Sequence, residues 1–200
     1  MNFHGGIAEK TLMPALTVLF LVLFMGRTIG LRRKLGKAVR GEGTTVAIVF
    51  TTVLFALTNF AVLFDEVYSA MIPLTNGRPS AIAGYVLYAL SIVLGAFSSR
   101  RMRDSWRVGI VDGDRPELIR EGMFAVVRNP YFLSYYLMFA AFVLIRPSVV
   151  GAVLAVAAVV CYHRMVLREE AFLTELHGDT YRAYRRSAGR YLPRLFGRRG

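Results

Sequence analysis

Residues able to do chemistry concentrate from Pro116 onward. Arg128, Asn129, Pro130 and Tyr131 stand at the mouth of one apolar run, and Arg168, Glu169 and Glu170 follow the next. Acids can take an ammonium and guanidiniums a carboxylate through charge-assisted hydrogen bonds, so the two clusters suit a small zwitterion. Read by itself, the Arg-Glu-Glu run fits a solvated helix end equally well. Tyr131, Tyr135, Tyr181 and Tyr184 add aromatic faces, which attract soft cations. Tyrosines also gather at membrane interfaces without any ligand, and Tyr135 and Tyr136 read as packing residues. His4, His163 and His177 are scattered and Cys161 is single, so the spacing of a metal centre is absent and no metal partner is expected. Neither GxGxxG nor GxxxxGK[ST] occurs, and Gly41-Glu42-Gly43 follows no strand, which excludes a soluble nucleotide-binding fold.

The elements that must hold these residues depend on the solvent around them. Of the 200 residues 55% are apolar or aromatic, while the formal charge is +12. The mean hydropathy is +0.46. Nucleic-acid binders are basic without being this apolar, so the composition points to a membrane and away from DNA or RNA. A spanning helix needs about 20 apolar residues to cross roughly 30 Å of hydrocarbon. Five stretches are candidates: 12–31, 44–64, 81–97, 131–145 and 148–163. The fourth reaches only about 22 Å at 1.5 Å per residue. Arg146-Pro147-Ser148 separates it from the fifth, so the two read as a hairpin whose first helix starts within Arg-Asn-Pro. One long broken helix would instead put Arg146 and Pro147 in mid-membrane. Thr51, Thr52, Thr58 and Asn59 in the second stretch read as hydrogen bonding between helices.

Charge gives an orientation. Segments 26–43, 98–130 and 164–200 hold 6, 7 and 9 of the 25 Lys and Arg, leaving Lys10, Arg78 and Arg146 for the opposite face. Five crossings then place the N-terminus outside and the C-terminus in the cytoplasm. The first apolar run is followed, not preceded, by its positive charges, so it reads as an anchor and not as a cleaved signal. The expected fold is all-α and polytopic: five transmembrane helices with a C-terminal helical hairpin and a cytoplasmic helical tail. The basic stretch 182–199 suits attraction to anionic lipid at the membrane surface.

Order and spacing add a resemblance. Gly122, Phe124, Arg128, Pro130 and Tyr131, a short apolar hairpin, Arg168-Glu169-Glu170, then Gly178, Tyr181, Tyr184, Pro193 and Arg194 follow one another. Together they resemble the isoprenylcysteine carboxyl methyltransferase and phospholipid methyltransferase superfamily. Asp-Ser-Trp-Arg-Val-Gly at 104–109 resembles an upstream segment of that family. The resemblance implies a single membrane domain, 1–200, in which 11–97 supply three helices and 98–200 bind the cofactor. It implies S-adenosylmethionine as methyl donor and a lipophilic acceptor from the bilayer, whether a prenylated thiol carboxylate, an amine headgroup or a thiol. Catalytic roles fall to Arg128, Arg168 and Glu170. Cofactor contacts fall to Phe124, Asn129, Pro130, Tyr131, Glu169, Glu170, Tyr181 and Tyr184. The five helices and cytoplasmic C-terminus fit the smaller prokaryotic members, which implies a prokaryotic cytoplasmic membrane.

Two positions depart from the family pattern: Asn129 stands for the usual His, and Gly122-Met123-Phe124 for the usual Gly-Pro-Tyr. An amide does not titrate near neutrality, so Asn129 is expected to position by hydrogen bonding. Two other readings compete: an NADPH-dependent sterol-type reductase, which shares an Arg-x-Pro-x-Tyr element, and a non-enzymatic lipid-binding scaffold.

Overall fold

Breakers and charges set the helix ends. A computed structural model describes residues 7–36, 44–75, 77–102 and 117–194. Helix α1 (Ile7–Leu35) carries its apolar run into Arg32, Arg33 and Lys34, where cations meet the negative end of the helix dipole. Helix α2 (Thr44–Leu63) is followed by a short helix α3 (Asp65–Ala70) with two acids in its first turn. Helix α4 (Arg78–Arg101) has Pro79 at its start and Arg100 and Arg101 at its end. Helix α5 (Pro130–Ile145) begins on a proline, whose fixed φ suits the first helical position and whose missing N–H is not needed there. Ser148 caps helix α6 (Val149–Ser187), its hydroxyl accepting from the Gly151 amide at 3.1 Å.

Helices α1, α2, α4 and α6 are long and apolar enough to cross a membrane. At 16 residues, α5 spans about 24 Å, the short helix that the sequence indicated, so four to five helices are apolar enough to cross. It is also buried on nearly every side, through Tyr131, Phe132, Tyr135, Met138, Phe139 and Phe142. A helix so largely covered by protein has little lipid-facing surface to match to the bilayer. Its partner α4 lies against it antiparallel and close: a Cβ on Gly84 would sit 2.7 Å from Ile145 Cγ1 and 2.9 Å from the Ala141 carbonyl oxygen. Small residues permit this approach, the main source of helix association where the surroundings are themselves apolar.

Polar residues link the other helices. Thr51 donates to the Tyr162 hydroxyl at 3.1 Å, joining α2 to α6, and Asn59 Nδ2 donates to Thr17 Oγ1 at 3.1 Å, joining α2 to α1. Among the described residues, Thr58 donates to the Leu54 carbonyl of its own helix. The turn at 146–148 falls where the hairpin reading put it, but Arg146 is buried there. Its guanidinium lies 4.8 Å from the Tyr68 ring centre and 4.0 Å from Asp65 Oδ1, both on α3. Residues 182–187 of the basic tail continue α6, which bends at Gly178 (φ 54°, ψ −128°), while 188–194 are not helical. Only glycine adopts that backbone readily, and the bend redirects Tyr181 and Tyr184.

Candidate functional site

Glu170 is the hub of the site, buried at 3% exposure. Its Oε1 accepts from Arg128 Nε at 3.1 Å and Asn129 Nδ2 at 3.0 Å, and lies 3.0 Å from Arg128 Nη2. Its Oε2 accepts from Arg190 Nε at 3.1 Å and Nη2 at 3.0 Å. Burial alone would raise this carboxyl. The Arg190 hydrogen bond, with the charges of Arg128 and Arg190, outweighs burial and holds it below its ordinary 4.5. Two cations on one anion leave the cluster one positive charge in surplus.

Backbone pairing fastens the same cluster. The segment 126–129 runs parallel to 188–190, with Gly189 N–H donating to the Val126 carbonyl at 2.9 Å, Arg128 N–H to Gly189 at 2.8 Å and Asn129 N–H to Arg190 at 3.1 Å. Arg128 Nη1 adds hydrogen bonds to the carbonyls of Arg185 and Ala188. The Tyr184 hydroxyl donates to the Phe124 carbonyl at 2.6 Å, reaching the 3₁₀ turn Gly122–Ala125. Burial pushes that hydroxyl up to about 12 and raises the Tyr181 hydroxyl as well, so both stay neutral phenols across physiological pH.

In front of this cluster lies an open pocket. Phe124, Arg128, Asn129, Pro130, Tyr131, Glu169, Tyr181 and Tyr184 all line it. Glu170 stands behind the wall, with both oxygens engaged. Arg168 is exposed and is not among the lining residues, because neighbours on a helix point about 100° apart and Glu169 and Glu170 take the inward directions. Arg194 lies at the surface and donates to the Arg186 carbonyl. Trp106 and Gly41-Glu42-Gly43 lie outside the described residues.

Three residues of the site escaped the sequence reading. Arg190 and Gly189 sit in a strongly basic tail, where one more arginine carries no signal; Gly189 is marked only by its type. Glu117, at the pocket rim, precedes the motif. Among the described residues, no group of three or more His, Cys, Asp or Glu converges in a way that could hold a metal ion.

The pocket wall, the hairpin and the α4–α5 contact belong to one stretch of chain. The phospholipid methyltransferase family matches residues 79–180, just over half of the sequence. No curated protein matches the chain. The match opens at the start of α4 and closes just past the Gly178 bend, covering α4, α5, most of α6 and the Arg128–Glu170 contact. With its apolar helices, the chain belongs to the phospholipid methyltransferase family and is a methyltransferase of the membrane.

Proposed function

We propose that the protein moves a methyl group from S-adenosylmethionine to a lipophilic acceptor, an isoprenylcysteine-like carboxylate, a lipid or a thiol, with its C-terminus and pocket on the cytoplasmic side. The observation that carries this is the pocket itself, which combines the acids Glu117 and Glu169, the Arg128 guanidinium and aromatic faces. The donor's amino-acid end is a zwitterion. Glu169 and the rim residue Glu117 suit its ammonium, and the Arg128 wall suits its carboxylate. When bound, the donor supplies an electrophilic methyl on a sulfonium. Phe124, Tyr131 and Tyr181 offer faces to such a soft cation and keep water from it. The reaction asks the protein mainly for alignment, which the Arg128–Glu170–Arg190 lattice secures by fixing the wall. Glu170 thereby acts through its neighbours, and Glu169 takes the direct contact.

Calorimetric titration of the purified protein in nanodiscs with S-adenosylmethionine and, separately, NADPH tests this reading. Binding of the first alone is expected, weakened about tenfold or more in Glu169→Gln, the scale of a charge-assisted hydrogen bond. Binding of NADPH alone would favour a reductase, and binding of neither a scaffold.

A further inference from the structure

Between α1 and α2 runs a second, mostly apolar cavity of about 420 Å³, floored by Tyr135 of α5 and Tyr162 of α6 and walled by Phe20, Phe24, Phe55 and Ala56. Its position between two membrane-length helices makes the surrounding hydrocarbon its natural source of occupants. One end approaches the pocket. Phe20 and Phe24 also wall a small cavity that reaches Tyr131, and Tyr131 lines the pocket. The hydroxyls of Tyr131 and Tyr135 are 3.4 Å apart, so one tyrosine pair stands between the aqueous site and the apolar groove.

The opposite end is closed. Asn59 Nδ2 donates to Thr17 Oγ1 at 3.1 Å, tying the two walls together, and Thr17 Oγ1 lies 3.2 Å from the Tyr88 hydroxyl of α4. Thr17 also donates to the Met13 carbonyl, and Asn59 to that of Phe55. A hydrocarbon chain reaching this cluster could advance only by separating polar partners, Thr17 buried and Asn59 half-buried, that it cannot replace.

We propose that the groove takes one hydrocarbon tail of the acceptor and that the Thr17–Asn59–Tyr88 cluster is the stop that sets its length. This rests on the reading of the protein as a methyltransferase for a lipophilic acceptor. From Ile48 to Asn59, the α2 residues at the two ends of the groove, the helix advances about 16 Å at 1.5 Å per residue. Carbon–carbon bonds of about 1.5 Å project to about 1.25 Å along an extended chain, so the groove accommodates about 13 carbons.

The test uses cofactor-free protein in nanodiscs and a series of n-alkanoic acids bearing a terminal diazirine, from shorter to longer than the groove. Photolabelling is read by mass spectrometry. Labelling of residues around Thr17 and Asn59 should rise to a limiting length near 13 carbons and fall about tenfold beyond it. Asn59→Ala should move the limit to longer chains. Ala56→Phe, one helical turn nearer the pocket on an exposed position, should move it to shorter ones. Leu19→Ala, on the exposed face of α1, should leave it in place. A limit that stays put in both groove variants, or labels spread evenly over the membrane surface, would overturn the proposal. Because the readout needs neither donor nor turnover, the two readings fail separately. A length limit in a protein that binds no S-adenosylmethionine would keep the tail site and overturn methyl transfer. Donor binding with no limit would do the reverse.

Discussion

Arg190 grips Glu170 with two nitrogens, Nε at 3.1 Å and Nη2 at 3.0 Å from the same oxygen, Oε2. The contact closes the C-terminal segment against α6, and the parallel pairing of 188–190 with 126–129 follows the same seam. Arg190→Ala should leave Oε2 without its donors in a buried place. Arg128 and Asn129 still hold Oε1, so the loss should be about 1.5–3 kcal/mol, the range for hydrogen bonds to charged groups, and not that of an abandoned ion pair. Arg190→Lys keeps the charge but not the two-nitrogen fork and should fall between. Thermal unfolding in detergent measures this directly. An Arg190→Ala protein as stable as the parent would show that the backbone pairing alone holds the segment.

Acid should undo the same seam. The Glu170 carboxyl is held below its ordinary 4.5, despite burial that raises it, by the hydrogen bond from Arg190 and the charges of Arg128 and Arg190. A folded value below the unfolded one gives stability that is complete above pH 4.5 and is lost as pH falls through the folded value. Amide exchange at Arg128, Asn129 and Gly189, corrected for intrinsic rates, should be unaffected between neutrality and about pH 5 and accelerate below 4.5. Glu170→Gln should abolish that pH step and start from weaker protection. A step centred above pH 5 would point to a group other than Glu170.

Two glycines should respond differently to the same substitution. A Cβ at Gly178 meets nothing within 4 Å, but φ is +54°. Gly178→Ala should therefore cost only backbone strain, about 1 kcal/mol or somewhat more. At Gly189 a Cβ would lie 1.8 Å from the Leu192 carbonyl oxygen, which is backbone and cannot swing aside. Gly189→Ala must displace 189–192 and with it Arg190, so its cost should exceed about 2 kcal/mol and include the loss of donor affinity. Equal effects at the two positions would contradict this account.

The division of charge predicts which faces meet the cytoplasm. Reporter fusions after Leu35 and after Ser187 should report from inside, and one at Gly77, between α3 and α4, from outside. A cytoplasmic signal from Gly77 would remove the proposed orientation of the pocket.

What the sequence made legible follows from what each solvent demands. Helices α1, α2, α4 and α6 had to show long apolar runs to suit a bilayer, and Pro130 and Pro147 had to mark breaks because proline cannot continue a ladder. The enclosure of α5 was not legible, since an all-apolar helix reads alike whether lipid or protein surrounds it. Neither was α3, six residues long and stabilised by tertiary contacts such as the Tyr68 hydroxyl donating to the Pro147 carbonyl at 2.9 Å. In the site, spacing brought Arg128, Glu169 and the tyrosines under consideration together. It could not say that Glu170 faces a lattice and Glu169 a pocket, because that depends on helix rotation and on Arg190, a partner twenty residues away in sequence.

Asn129 offers the sharpest division between positioning and chemistry. Its Nδ2 donates to Glu170 Oε1 at 3.0 Å and its backbone N–H to the Arg190 carbonyl at 3.1 Å, so both groups face the lattice that holds the pocket wall. A side-chain amide cannot serve as a base near neutrality. If the acceptor is a carboxylate, with an ordinary pKa near 4, or a thiol of lowered pKa, it arrives ionised and needs none. A protonated amine would need one. Asn129→Ala should then weaken S-adenosylmethionine binding about tenfold while leaving the single-turnover rate at saturating donor within a few fold of the parent. Asn129→His should restore a donor at the same place and retain transfer. Rapid-quench measurement at saturating donor separates the two roles: a rate loss of about a thousandfold, some 4 kcal/mol of barrier, with donor affinity unchanged, would put Asn129 in the chemical step.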